Sequence, residues 1–375
     1  MLATVLAETP YFIAHRNGRH FVVSLREKHQ VLSTSEWNGG MSNTINYLVN
    51  HQSMESNADH QQADKVLSQS PQEYHTSVAK QLDLPAASMA LLSTAANMNH
   101  IACCNHKFRN VEVHTFVTAG VQSNALRAGD QADWHAGDNG NERVAQAGTI
   151  NIMVLINTPL LPGALSKAAA VISEAKSSVL TELSVPSKVS SHIATGTGTD
   201  QFAIACAQRD DVKPLVSASG HLKPGEILGT SVRDATFEAL RWQNGLERSN
   251  TQSVLHAMGR FGLSEENLFS ALKENLTENA YSLLENNAHS VLKEPRVVAA
   301  SYAYAALLDR IQYGTLSSSI ATEALRDQAA NVAVGVSSKP SHWCQYWEQL
   351  PTSQDDALSL FTAAVTIGWE SKWHE

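Results

Sequence analysis

The sequence predicts an α/β fold in which a buried sheet is covered by helices, followed by an α-helical carboxyl-terminal unit. Two patterns support this prediction. Short β-branched runs alternate with long helical periodicities up to about residue 248, and beyond that point only helical patterns recur. We therefore divide the chain into an α/β domain at residues 1–248 and a helical unit at residues 249–375.

The α/β domain contains several strand-like segments. Residues 11–34 hold two short β-branched runs. Residues 149–157 are apolar on both faces in the middle, which is typical of a central buried strand, and the two-residue period places Thr149 and Asn151 on one face. Residues 201–206 predict another strand and residues 215–219 a shorter one. From about residue 51 to 74 the chain is rich in polar residues, which indicates a polar excursion or lid.

Long helices are predicted between and after these strands. Apolar residues recur at spacings of three and four over residues 161–183 and again over residues 228–242. Lys176 lies at the edge of the first apolar stripe, so its long side chain can reach past the core to a site or remain on the surface. Beyond residue 250, Ser264 is a predicted helix cap, and consecutive helical patterns follow it.

Composition excludes several classes of function. The 375-residue chain carries a net charge of −9 and has no basic run, which argues against a nucleic-acid partner. No apolar run approaches the roughly 18 residues that span a bilayer, and the amino terminus lacks the basic start of a signal peptide, so we expect a cytoplasmic protein without a membrane partner. The four cysteines show no disulfide or zinc spacing, and HExxH, phosphate-loop and dinucleotide motifs are absent. We expect no metal, and a homodimer remains open because the sequence does not determine the oligomeric state.

Four glycine-punctuated segments stand out, each where a strand or helix meets a turn. They are residues 118–130, 147–151, 194–200 and 219–226. Glycine at such points lets backbone N–H groups approach a ligand closely, and neighbouring hydroxyls supply hydrogen-bond donors and acceptors. These segments are therefore the candidates for a binding or catalytic site.

Taken in order, these segments resemble the adenosylcobinamide amidohydrolase family. The likeness rests on TAGxxxNAxRAGD at 118–130, GTIN at 148–151, Glu-Ala-Lys at 174–176, ATGTGTD at 194–200 and GHxxxGE at 220–226, with an earlier stretch around Asn38. It covers about residues 20–245; Ser123 and Leu126 depart from the expected pattern. The resemblance implies hydrolysis of the amide between a propionyl side chain of the corrin ring and aminopropanol, which releases adenosylcobyric acid for cobalamin salvage. The corrinoid is then the substrate, and no cofactor is implied.

Amide hydrolysis needs a nucleophile or activated water, a proton shuttle and donors for the tetrahedral oxyanion. Asp200 and His221 are the candidate acid and base, because both lie at glycine-rich turns and histidine titrates near neutral pH; turn-capping and plain loop roles are the alternatives. Thr149 is the candidate nucleophile, in competition with other hydroxyls.

The candidate substrate-binding residues are Asn38, Ser123, Asn124, Arg127, Asn151, Lys176, Thr195, Thr197, Thr199 and Glu226. Arg127 has a local ion pair with Asp130 as its alternative role.

Two other functions remain open on the sequence. One is a corrinoid carrier that binds the ring without cutting it. The other is a threonine-dependent acyltransferase, because Gly148-Thr149 entering a buried strand is similar to the ornithine acetyltransferase family, in which self-cleavage frees the nucleophilic threonine. We expect the bond between Gly148 and Thr149 to stay intact and Thr149 to act through its hydroxyl.

Overall fold

The computed structural model describes residues 3–54, 69–132, 148–352 and 356–373. The chain divides into two compact units, residues 1–245 and residues 246–375, against the expected boundary after residue 248.

The first unit combines short strands with three α-helices in its described part. The helices are α1 (Pro71–Gln81), α2 (Pro162–Glu182) and α3 (Lys223–Asn244). The strands are β1 (Thr4–Glu8), β2 (Phe12–Asn17), β3 (His20–Leu25), β4 (His29–Ser33), β5 (Gly40–Ser42), β6 (Tyr47–Gln52), β7 (Met89–Thr94), β8 (Ala102–Phe108), β9 (Val111–Ala119), β10 (Ala125–Leu126), β11 (Ile150–Ile156), β12 (Gly196–Thr197) and β13 (Gln201–Ala207).

These strands form two main sheets and one short pair. The five-stranded sheet has the order β1-β2-β3-β6-β7, and the six-stranded sheet has the order β5-β4-β13-β11-β9-β8. Within them, β6 pairs with β7 and β11 with β13 in parallel, while the other pairs are antiparallel. A two-stranded sheet joins β10 to β12.

The two main sheets pack face to face and are covered by helices. Phe21 of the five-stranded sheet and Phe116 and Met153 of the six-stranded sheet belong to one buried cluster between them. Helix α1 covers the other face of the five-stranded sheet through Val78, and α2 and α3 pack on the six-stranded sheet. The predicted α/β class is confirmed. The sequence did not predict that the strands form two stacked sheets, which with α1 on one side and α2 and α3 on the other give four layers.

Most of the predicted elements occur where expected. Strand β11 and helices α2 and α3 confirm the segments predicted at residues 149–157, 161–183 and 228–242. The short strand predicted at residues 215–219 is wrong, because that stretch contributes a single bridge between Leu215 and Leu160.

The polar excursion predicted for residues 51–74 is wrong at both ends. His51 lies inside β6 and is buried, and the capped helix α1 begins at Pro71. Hydrogen bonds exchanged between Ser70 and Glu73 form a capping box, which explains the helix start. Residues 55–68 of the excursion lie outside the described residues.

The second unit is helical throughout its described part, as predicted. Its helices are α4 (Arg248–Thr251), α5 (Val254–Met258), α6 (Glu265–Asn275), α7 (Glu278–Glu285), α8 (His289–Leu292), α9 (Pro295–Gln312), α10 (Ser318–Ser337), α11 (Trp343–Gln349) and α12 (Ala357–Lys372). Ser264 caps α6, since its hydroxyl accepts a hydrogen bond from the Asn267 amide at 3.1 Å. None of the described helices combines the length and the apolar character that crossing a bilayer requires.

Candidate active site

Several of the predicted site residues lie close together where two central strands begin. Strands β11 and β13 run in parallel, with Asn151 beside Gln201, so their amino-terminal ends lie at the same edge of the six-stranded sheet. Thr149 directly precedes β11 and Asp200 directly precedes β13. The pairing of β10 with β12 brings the two glycine-rich turns at residues 120–124 and 194–200 to this edge.

Asp200 is held by donors on both carboxylate oxygens. Its Oδ1 accepts from the Ile150 amide at 3.0 Å and from the Thr197 hydroxyl at 2.5 Å. Its Oδ2 accepts from the Thr197 amide at 3.0 Å and forms an ion pair with Lys176 Nζ. The Lys176 and Asp200 side chains are only 14% and 16% exposed. Donors contact both oxygens, so the carboxylate ties the start of β11 to the turn before β13.

Gly196 makes the approach of Lys176 to Asp200 feasible. A Cβ atom at this position would lie 2.6 Å from Lys176 Nζ and closer still to Asp200 Oδ2. Real Cβ contacts essentially never become so short. The glycine in the ATGTGTD segment is therefore required by the ion pair rather than by turn flexibility alone.

The Thr149 hydroxyl lies in a network of hydroxyl, amide and carbonyl groups. It donates to the Thr199 carbonyl at 3.1 Å and also contacts the Thr199 hydroxyl. The Asn124 side-chain amide donates to the Gly148 carbonyl at 2.9 Å and to the Thr199 hydroxyl at 3.2 Å. Thr149 and Asn124 are buried, whereas Thr199 is exposed. The network thus extends from the sheet edge to the protein surface.

A buried polar cluster continues from this edge into the space between the two sheets. Asn151 donates to the Asn50 side chain at 2.8 Å and to the Ser93 carbonyl at 2.9 Å. Asn50 donates to the Thr118 hydroxyl at 2.8 Å, and the Ser93 amide donates to Gln201 at 2.9 Å. The Asn151 Oδ1 atom is buried without a hydrogen-bond partner in the described part of the chain.

Sequence reasoning identified Asn151 but missed its partner Asn50. The available signal was an asparagine inside the apolar strand Tyr47–Gln52, because asparagine is depleted in strands and needs a partner when buried.

The structure does not bring His221 to this cluster. His221 precedes helix α3, and the neighbouring Lys223 lies over the Phe108 ring, 5.6 Å from its centroid, at the end of the β8–β9 hairpin. Strand β9 runs from that end to Ala119, which pairs with Ile150 beside Thr149. Eight residue steps of about 3.3 Å separate the two ends of β9, a distance of roughly 25 Å. The predicted pairing of His221 with Asp200 is therefore not supported by the geometry.

Other predicted residues also lie away from the Thr149 hydroxyl or make local structural contacts. Glu226 forms an ion pair with Lys223, at the His221 end of the sheet.

Asn38 donates to the Ala86 carbonyl at 2.9 Å, and the Thr195 hydroxyl accepts from the Ala128 amide at 2.8 Å. Ser123 is exposed in the turn that precedes Asn124.

Asp130 shapes the loop that carries Arg127. It accepts hydrogen bonds from the Arg127 amide at 2.8 Å and from the Ser187 hydroxyl at 2.7 Å. Partial burial opposes ionisation of Asp130, but these and further hydrogen bonds outweigh it and lower the pKa of the carboxyl. No cluster of three metal-ligating side chains occurs within the described ranges.

Comparison with known proteins agrees with the likeness seen in the sequence. The model of the adenosylcobinamide amidohydrolase family matches residues 7–248. The chain belongs to this family. The matched range covers Thr149 and Asp200 together with the turns that surround them, so the cluster lies inside the family domain. Residues 249–375, nearly all of the helical unit, lie outside the matched range.

Two individual proteins are similar to this member of the family. An uncharacterized protein of Methanocaldococcus jannaschii, MJ1613, is 30% identical over 236 residues, which is 60% of this chain and 87% of that protein. The crystal structure of the PH0078 protein from Pyrococcus horikoshii OT3 is similar with a TM-score of 0.29 and 9% identity, over 64% of this chain and 82% of that one. A likeness this slight supports no argument about fold or function.

Proposed function

We propose that this protein is an amidohydrolase that cuts the aminopropanol amide of adenosylcobinamide and releases adenosylcobyric acid. Family membership supports the reaction class. The observation that carries the residue assignment is the Thr149 hydroxyl, which lies just before strand β11 within a network of hydrogen-bonding groups. The corrinoid is the substrate, and the activity belongs to cobalamin salvage in the cytoplasm.

The reaction can be written with Thr149 as the nucleophile. Its Oγ1 bonds to the carbonyl carbon of the corrin side-chain amide, and the carbon–nitrogen bond then breaks. The proton of the hydroxyl leaves with the amine of aminopropanol. Water hydrolyses the resulting ester, which restores the Thr149 hydroxyl and gives the carboxyl group of adenosylcobyric acid. The side-chain donors of Asn124 and Thr199 lie beside Thr149, where a developing oxyanion needs stabilisation.

Lys176 and Asp200 act as positioning residues in this scheme. Asp200 fixes the Ile150 amide, which follows Thr149, and the Thr197 turn at the same time. Lys176 balances the charge of Asp200 in a largely buried position. Because neither oxygen of Asp200 lacks a donor, we assign it the task of holding the nucleophile in place rather than accepting a proton.

The deciding experiment incubates the purified protein with adenosylcobinamide and follows adenosylcobyric acid by mass spectrometry. We expect Thr149→Ala to lose turnover by at least about 100-fold and Thr149→Ser to retain it, because serine keeps the hydroxyl. Thr158→Ala is the matched control, since Thr158 is an equally buried threonine just beyond the other end of β11. Tight binding of intact adenosylcobinamide without product would instead identify a carrier.

A further inference from the structure

We propose that the protein cleaves its own peptide bond between Gly148 and Thr149, which leaves Thr149 as a new amino terminus. The Gly148 carbonyl accepts two side-chain hydrogen bonds, from the Asn124 amide at 2.9 Å and from the Thr199 hydroxyl at 2.9 Å. Two such donors on one carbonyl oxygen polarise the bond and form the arrangement of an oxyanion hole. The choice of Thr149 as attacking group rests on the proposed function, whereas the cleavage itself can be observed independently of corrinoid.

The same hydroxyls provide a path for the proton. Thr149 Oγ1 contacts Thr199 Oγ1, and Thr199 Oγ1 donates to the Gly148 carbonyl. As Thr149 Oγ1 bonds to the Gly148 carbonyl carbon, its proton passes to Thr199 Oγ1, whose own proton passes to the carbonyl oxygen. When the carbon–nitrogen bond breaks, that proton moves to the Thr149 nitrogen and an ester joins Gly148 to Thr149 Oγ1. Water hydrolyses the ester to a Gly148 carboxyl group and a free Thr149 hydroxyl.

The backbone holds the bond in position for this reaction. Gly148 has a φ of 126°, a conformation that residues with a side chain rarely adopt. A Cβ atom there would lie 3.0 Å from the Gly120 carbonyl oxygen and 3.2 Å from Asn124 Cβ, so a larger residue would displace the amide donor. On the other side of the bond, the Gly120 amide donates to the Thr149 carbonyl at 3.0 Å.

Cleavage would also supply the base that the proposed hydrolysis needs. The described contacts of the Thr149 hydroxyl are made by Thr199 oxygens, with no imidazole among them, and His221 lies at the far end of β9. A free α-amine has a pKa of about 7.7–8.0, so at neutral pH its neutral form is accessible. Attached to the same residue, this amine can accept the proton of the Thr149 hydroxyl. The sequence alone favoured an intact chain. The two hydrogen bonds to the Gly148 carbonyl favour cleavage instead.

The two fragments would remain assembled after cleavage. Within the six-stranded sheet, β13 and β11 come from residues 149–375, whereas β5 and β4 on one side and β9 and β8 on the other come from residues 1–148. Backbone hydrogen bonds therefore join the two fragments on both sides of the central strands, between β11 and β9 and between β13 and β4. Native size is expected to stay unchanged, and only denaturing conditions separate the pieces.

Denaturing mass spectrometry of the purified full chain tests the proposal. We expect two species, residues 1–148 and residues 149–375, whose masses together exceed the 40.6 kDa chain by one water. Thr149→Ala should remain a single species, and Thr149→Ser should be cut. Asn124→Ala and Thr199→Val, which each remove one donor to the carbonyl, should slow cleavage by about 100-fold or more. Thr158→Val, a matched threonine remote from the bond, should be cut like the original protein.

The outcomes separate this proposal from the proposed function. A single intact species that hydrolyses adenosylcobinamide overturns self-cleavage and leaves the amidohydrolase assignment in place. A single intact and inactive species also overturns self-cleavage. Two fragments meeting at Gly148 and Thr149 without corrinoid hydrolysis support self-cleavage and refute the hydrolase assignment. Circular dichroism and native size of each variant identify any that fail to fold, and the original protein decides the question in every case.

Discussion

Replacing Asp200 with asparagine should destabilise the first unit strongly. The carboxylate receives two donors on each oxygen, including the backbone amides of Ile150 and Thr197. An asparagine side chain offers only one oxygen, so in either orientation its NH₂ group faces two donors and leaves one of these backbone amides unpaired. Hydrogen bonds to charged groups contribute about 1.5–3 kcal/mol each, so losing two of them costs roughly 3–6 kcal/mol.

The assay for Asp200→Asn is urea and thermal unfolding followed by circular dichroism. For a domain of this size 1 kcal/mol corresponds to about 2–4 °C, so the melting temperature should fall by roughly 10 °C. Asp211→Asn is the control, because Asp211 also forms an ion pair, with Arg209, but is 68% exposed, and exposed pairs contribute little. Equal stability of the two variants would refute the structural role that we assign to Asp200.

Three further predictions address other parts of the first unit. His221→Ala should change adenosylcobinamide turnover by less than about two-fold, since general acid–base residues matter only within hydrogen-bond reach of the reaction; a loss approaching 100-fold would contradict its placement at the far end of β9. Gly196→Ala should lower the free energy of unfolding by about 1–3 kcal/mol, because the new Cβ would lie too close to Lys176 Nζ. Gly163→Ala is the control and should be nearly neutral, since the space around its Cβ is open. Similar unfolding midpoints for the two variants would contradict the predicted destabilisation. Burial lowers the pKa of His51 from 6.5 to about 3, so the unfolded state binds its proton first and stability should fall as the pH drops from 6.5 toward 3. Urea titrations of His51→Gln should show a smaller loss over that range, and an identical pH dependence would exclude His51 as the source.

The sequence predicted the elements of the first unit better than their assembly. Buried strands and amphipathic helices reveal themselves through local periodicity, as in β11 and α2. The stacking of two sheets depends on pairings between distant segments, such as β4 with β13, which no local pattern records. Leu215 shows the opposite error, because a short apolar run satisfies the strand pattern while forming only one bridge.

The candidate site was predictable in its parts but not in its roles. Glycine-rich turns singled out Thr149, Asn124 and Asp200 as candidates, and the structure places all three at one sheet edge because these turns join the ends of neighbouring strands. His221 lies in an equally glycine-rich turn, yet its helix starts at the other end of the sheet. Local composition cannot distinguish the two ends of a strand, and that difference separates the cluster around Thr149 from a residue roughly 25 Å away.

The strand order of the six-stranded sheet has a consequence for the protein while it is still on the ribosome. Strands β4 and β9 leave the ribosome before β11 and β13, which later lie between them. Translation from Ala119 to Ala207 takes on the order of ten seconds at about 5–20 residues per second. During this interval the facing edges of β4 and β9 lack their final partners, and unpaired strand edges invite pairing with other chains. The nascent chain is therefore expected to depend on chaperones until residue 207 has emerged.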